Sequence, residues 1–383
     1  MQIVSFGVAA LYSGMWWLRW ARGGGREGEW GQLGWFSGMV CVGSIAGAVA
    51  WGANMYALAL YYETNAPALA PQQAYSMFAS SCRFFAVFFF LYGVAFLCLI
   101  ICKLMLLGRL AANAAQSSQA EVTEMSGVRR KWLGGRALPI VYRVMAGAVV
   151  VGSVVGMVAD AVAGALLVQE AGVVDQIAAA CDAAGNKINS SCVFNNEVNV
   201  IAAKARTSQS VQASSEALTL LLVSIAFLAI VSWSVALFRM LERVAARVLV
   251  AANGGRNTQP SEESAARIAA DTMQAAAEQR RRLTAACVIV LVTFPARAAF
   301  DFLQAYAFFN APHNNACSPC DACQSTPSLV HHWLNFTPEF QAIVVAVSSP
   351  LPLTVSLWLL TKVRARVRLI AADLERARAC DGV

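Results

Sequence analysis

Charge is scarce in this 383-residue chain: Asp, Glu, Lys and Arg together make up 13% of it. Soluble domains carry about a quarter. With 58% hydrophobic residues, this scarcity excludes an ordinary soluble domain. Histidine is nearly absent, and its three copies, His313, His331 and His332, fall in one late segment. A catalytic zinc held near an inner membrane face needs several histidines with acidic partners, so that chemistry is excluded. No Gly-x-Ser-Gly run and no paired intramembrane Asp motif of a protease is present. The reading that follows is a protein that is not an enzyme and has no cofactor and no metal. Basic stretches lack interleaved aromatics, so the net charge of +7 does not indicate a single-strand binder and no nucleic-acid partner is expected. No repeat of fixed period is visible, which leaves the inverted repeats common in transporters unsupported.

What the chain has in abundance is long apolar stretches. Seven run at about 2–18, 35–60, 84–108, 140–168, 217–240, 284–309 and 340–361. A helical span needs roughly 20 apolar residues, and six of the stretches meet this. The first is short and carries Tyr12, Ser13 and two Trp. It reads either as an uncleaved span or as a cleaved signal, although a signal has basic residues before its apolar run. Here Arg19, Arg22 and Arg26 follow it. Lys and Arg sort onto alternate sides of the stretches: 24 of the 29 fall at 19–34, 103–143, 239–282 and after 361. Only Arg83, Lys187, Lys204 and Arg206 lie opposite, and Arg297 lies within a stretch. Lys- and Arg-rich loops stay cytoplasmic. The expected fold is therefore an all-α seven-transmembrane helix bundle over 1–362, N-terminus outside and C-terminus cytoplasmic, with an amphipathic tail over 363–383. It is an integral protein of the endomembrane (vacuolar or lysosomal) system or of the plasma membrane, with membrane lipids around it.

Cysteines follow the same sidedness. Six of the eleven, Cys82, Cys181, Cys192, Cys317, Cys320 and Cys323, lie outside by the charge rule and are disulfide candidates. Six allow 15 connectivities, among which sequence cannot choose. The Cys317–Cys323 run with His331 and His332 also fits zinc ligation, but the oxidising side favours disulfides. Two sequons, at Asn189 and Asn335, fall outside as well. Pro338 and the nearby membrane disfavour Asn335, so Asn189 is the glycosylation site expected to be used.

Between the stretches, 169–216 reads as a long outer segment with a polar tract near 207–215, and 310–339 as a second one. Inside, 109–139 is polar, while 261–283 opens on Ser261, Glu262 and Glu263 and closes on Arg280, Arg281 and Arg282. Acids first and bases last complement a helix dipole, so the sixth helix is expected to extend into the cytoplasm. In the tail, Val363, Val367, Ile370 and Leu374 share one face, as in a helix lying on a membrane surface, or as incidental periodicity in a basic stop-transfer flank. Gly43-x-x-x-Gly47 and Gly152-x-x-x-Gly156 offer close helix approach, or simply reflect an Ala/Gly-rich composition.

Three ionisable residues sit within stretches: Asp160 in the fourth, Arg297 and Asp301 in the sixth. Charges in hydrocarbon face a bundle interior and pair. Arg297 and Asp301 are four apart on one helical face and can pair with each other. Asp160 lies at similar depth, so the three are candidates for a ligand or ion site in the outer half, or for a salt-bridge cluster that fixes packing. Pro295 is expected to kink the helix beside them. The last stretch has no mid-span Lys for a retinal Schiff base. The third lacks the acidic-Arg-aromatic triplet of rhodopsin-type receptors, and the seventh lacks Asn-Pro-x-x-Tyr.

Motifs in the last two stretches resemble one family. Arg297-Ala298-Ala299-Phe300-Asp301-Phe302-Leu303, His332-Trp333-Leu334-Asn335-Phe336 and Ser349-Pro350-Leu351-Pro352-Leu353 look like the tobamovirus-multiplication type of seven-transmembrane protein. The Ser81-Cys82-Arg83-Phe84-Phe85 opening of the third stretch is similar to an Arg-aromatic start in that family. The resemblance spans roughly a quarter of the chain. The long 169–216 segment and the Cys317–Cys323 run depart from the family pattern. The resemblance implies an endomembrane platform for cytosolic protein partners, a small GTPase among them. Two functions follow: a receptor-like or scaffold protein docking partners through its basic cytoplasmic loops, or an ion- or proton-coupled transporter or channel using Asp160, Arg297 and Asp301.

Overall fold

The computed structural model describes residues 2–22, 29–64, 69–121, 137–183, 196–254 and 260–310. Among these residues the protein is all-helical: α1 (Gln2–Arg22), α2 (Glu29–Glu63), α3 (Pro71–Glu121), α4 (Ala137–Ala183), α5 (Asn196–Gly254) and α6 (Pro260–Asn310). Proline opens α3 and α6, where a missing N–H has no consequence and a fixed φ suits the first turn. Thr64 closes α2, its amide bonded to the Leu60 carbonyl and its hydroxyl to that of Tyr61. Glu197 in the first turn of α5 complements the helix dipole.

Five of these helices contain segments long and apolar enough to cross a membrane: Gly34–Glu63, Gln72–Gly108, Tyr142–Ala180, Glu197–Ala236 and Met273–Asn310. Large apolar side chains at their surface, among them Val42, Val49, Val151, Val158, Ile225 and Val292, are what an integral membrane protein presents to lipid. The seventh stretch, 340–361, and the tail, 363–383, lie outside the described residues, as do Asn189, Cys192, Cys317, Cys320, Cys323 and Asn335.

Helix lengths correct one expectation. The outer segment at 169–216 is largely helix: α4 continues to Ala183 and α5 begins at Asn196. The polar tract at 207–215 is part of the helical core, with Gln209, Ser210, Gln212 and Ser215 buried. Its hydroxyls bond across helices, Ser208 to the Ala159 carbonyl at 2.8 Å and Ser210 to that of Ala305 at 2.9 Å. These bonds satisfy polar groups that hydropathy alone assigns to water. At the other end, α6 does begin at Pro260 and runs unbroken through the expected cytoplasmic extension and past Pro295.

The chain divides into two compact units. The first contains α1, α2, the part of α3 up to Lys103, α4 from Gly147, α5 up to Leu221 and α6 from Pro295. Within it α1 packs on α2, with Phe6 against Trp51 and with the Cys41 thiol on the Ala10 carbonyl. The two glycine pairs serve close approach. Gly43 faces Cys98 of α3, where an added Cβ would come 2.9 Å from its Cβ, and Gly47 faces the Phe6 ring of α1. Gly152 and Gly156 admit Thr219 and Ser215 of α5. The second unit takes the remaining parts of α3 to α6. There the Tyr142 hydroxyl donates to the Leu104 carbonyl at 2.9 Å, and Arg280 pairs with Glu242 at 3.3 Å.

Candidate functional site

Within the first unit, α2, α3, α4, α5 and α6 enclose a cavity of about 600 Å³. Ten aromatic side chains line it, together with Glu170, Arg206, Glu216 and Arg297. Its residues come from the helix ends that the charge rule places outside: the end of α2, the start of α3, and Arg297 to Phe308 of α6.

One wall is an ionic network. Arg297 Nη2 donates to the Tyr92 hydroxyl at 2.7 Å and lies 3.3 Å from Glu216 Oε1. The Tyr92 hydroxyl sits 2.9 Å from both Glu216 oxygens and donates to that carboxylate. Gln212, one turn before Glu216, donates to Oε2 at 3.0 Å. Arg297 Nε is 3.0 Å from Asp301 Oδ1, the pairing that the four-residue spacing predicts. That contact is electrostatic rather than a directed hydrogen bond, since neither Asp301 oxygen has a hydrogen-bond partner among the described residues. The guanidinium also lies over the Phe300 ring, 5.2 Å from its centroid. Arg297 thus contacts a hydroxyl, two carboxylates and a ring face.

Asp160, the third candidate, forms no ion pair with Arg297 and does not contact the Arg297–Asp301 pair directly. It is 2% exposed and packs against Gly93, where an added Cβ would come 3.2 Å from Oδ2. Its Oδ1 has no hydrogen-bond partner among the described residues. Asp160 lies within electrostatic reach of Glu216, and Lys103 within reach of Glu216, Arg297 and Asp301. The sequence reading thus groups two residues that the structure joins, and a third that belongs to the same electrostatic neighbourhood through Glu216.

Glu216, Tyr92, Glu170, Arg206 and Lys103 are absent from that reading. Glu216 stands one residue before the stretch at 217–240, and Lys103 near the end of its own. Glu170 and Arg206 fall in what hydropathy marks as a loop. The available signal is the spacing of Gln212 and Glu216, one turn apart and in line with the Ser208 and Ser215 hydroxyls on a helical period.

No family model, curated protein or solved structure matches this chain. The chemistry of the site is therefore the guide to its use.

Among the described residues of this unit four carboxylates are buried, Asp160, Glu170, Glu216 and Asp301, against two buried cations, Lys103 and Arg297. Half-buried Arg206 raises the cations to three, still one short. An unbalanced buried charge costs several kcal/mol, so the excess carboxylate takes up a proton or a cationic partner. Cys82, expected in a disulfide, is instead a free buried thiol in this cavity, among Ala79, Ala171, Val174 and Val198. Apolar helix faces surround it, and no second cysteine among the described residues reaches it. Cys181 is on α4, with its side chain outside the described residues. Arg83 pairs with Asp175 across α3 and α4 at an exposed position.

Proposed function

We infer that this protein is a coupled carrier of a small solute: the cavity holds the solute, and the buried carboxylates beside it exchange protons or ions as it binds and leaves. One observation carries the reading: among the described residues, buried carboxylates outnumber buried cations around a cavity large enough for a small organic molecule, with Glu170 and Glu216 in its lining and Asp160 and Asp301 behind it. A purely structural cluster favours neutralised pairs. A surplus is useful where protonation state changes during a cycle. Purified protein in liposomes loaded with a pH-sensitive dye tests this. Amino acids, organic cations, organic anions and sugars are added outside in turn. At least one class is expected to move protons across the membrane; silence across the whole panel contradicts the carrier reading.

A second reading has its own support. Beyond their apolar segments α5 and α6 continue as charged helix, to Gly254 and back from Pro260, with Arg280 paired to Glu242. A cytoplasmic charged surface of this kind suits docking of cytosolic proteins, and the resemblance around Arg297 and Pro350 adds the small-GTPase expectation. Replacing Arg280, Arg281 and Arg282 by Gln and comparing partners labelled by proximity in cells tests it. Unchanged partners remove the docking role.

A further inference from the structure

We propose that the solute is an organic cation with an apolar or aromatic body, its charge held beside Glu170 and its body laid along the aromatic wall. The proposal rests on the carrier reading of the same cavity and adds the chemical class of what is carried.

Three observations carry it. Glu170 lines the cavity, is 5% exposed, and forms no hydrogen bond or ion pair among the described residues. A carboxylate placed in this way is a counter-charge that only Arg206 offsets through space. Cys82 lies beside it, and the rings of Tyr61 and Phe78, 6.2 Å apart, belong to the same part of the lining. Ring faces attract cations, most strongly where water is excluded, and a soft organic cation loses less hydration than a metal ion on entering. Trp51, Phe88 and Tyr92 continue the wall as a chain of ring contacts at 5.4 Å each, giving an apolar body a surface to lie on. The Trp51 Nε1–H in that wall has no partner among the described residues, a donor left for a polar atom on the body.

The charges facing this site argue against an anion. Arg297 is the cation best placed to receive one, and Glu216, Tyr92, Asp301 and the Phe300 ring already occupy it. Arg206 is the other cation in the lining. Its Nε donates to the Ala202 carbonyl, and the guanidinium lies within electrostatic reach of Glu170. A ligand cation therefore competes with Arg206 for Glu170, whereas a ligand anion would use Arg206. This gives the two side chains opposite roles. Asp160, Asp301 and Lys103 behind the wall leave the field one unit negative.

Binding to the purified full chain in detergent tests the class without any transport. The probes are phenyltrimethylammonium, its neutral isostere tert-butylbenzene, and benzenesulfonate, read by quenching of tryptophan fluorescence and by isothermal calorimetry. The cation is expected to bind at least about tenfold more tightly than the isostere, the range of a desolvated cation–π and ion-pair contribution. Glu170→Gln is expected to weaken the cation about tenfold, and Arg206→Gln to leave it as tight or tighter. Equal binding of the isostere, preference for benzenesulfonate, binding of none of the three, or weakening by Arg206→Gln overturns the proposal. The probe comparison uses the native chain, so it stands even if Glu170→Gln fails to fold. Solute-driven proton movement in liposomes is a separate measurement. Its absence alongside cation binding removes the carrier reading and leaves the ligand class intact.

Discussion

Arg297 is the basic residue that interrupts the alternation of charge along the chain, and the structure places it among Tyr92, Glu216 and Asp301. Removing it leaves two buried carboxylates without their guanidinium. Arg297→Met should destabilise the detergent-solubilised protein by about 3–5 kcal/mol, the usual consequence of breaking a buried pair from one side. Asp301→Asn should cost less, because the remaining Arg297 still has Glu216. Thermal unfolding of both variants checks this, and equal or negligible losses would contradict the network. Lys cannot replace Arg here, since one ammonium does not reach a hydroxyl, two carboxylates and a ring face in fixed geometry. At this scale the sequence is informative only where hydropathy is interrupted. Arg297, Asp301 and Asp160 stand out against apolar neighbours, whereas Glu216 and Glu170 are indistinguishable from solvated residues at a span's edge.

At the scale of helices, α3, α4, α5 and α6 far exceed what a bilayer requires. α5, at 59 residues, is roughly 90 Å long for a hydrocarbon layer of about 30 Å. Such lengths are invisible to a reading that ends each span where apolarity ends. Ser, Gln and Ala continue the helix, and cross-helix hydrogen bonds hold it together with buried Val198, Ile201 and Ala205. Each such bond contributes modestly: Ser210→Ala, which removes the contact to the Ala305 carbonyl, should lower stability by about 0.6–1.7 kcal/mol. Glycine contacts behave differently. Gly43→Ala brings a methyl to 2.9 Å from Cys98 Cβ and 3.3 Å from the Ala95 carbonyl, positions that yield only if α2 and α3 separate. A loss of about 1–3 kcal/mol is expected, read in the same unfolding assay. Gly52→Ala, with open space around it, is the control and should change little.

For the whole molecule, composition and the spacing of apolar runs make the class legible: helical and membrane-embedded. Five of the expected spans fall on helices of sufficient length. The seven-span topology and its orientation rest on Lys and Arg placement and on the sequon at Asn189. If that orientation holds, expression in a glycosylating cell should yield a product that shifts on glycosidase treatment, with the shift lost in Asn189→Gln. Cytosolic exposure of this segment would reverse the topology. Less legible was the cavity, because it arises from five helices that are far apart in sequence and is lined by aromatics that any span contains. Only their convergence on Glu170 and Glu216 distinguishes them from core.

The carrier reading depends on the surplus of buried carboxylate being used in a cycle. Solute-driven proton movement in dye-loaded proteoliposomes measures that use directly, comparing the native chain with Asp301→Asn and Asp160→Asn at matched reconstitution. The account predicts a solute-dependent signal in the native protein that at least one of the two Asn variants abolishes while still folding and binding. A full-sized signal in both variants, or none in the native protein with any class of solute, would contradict it.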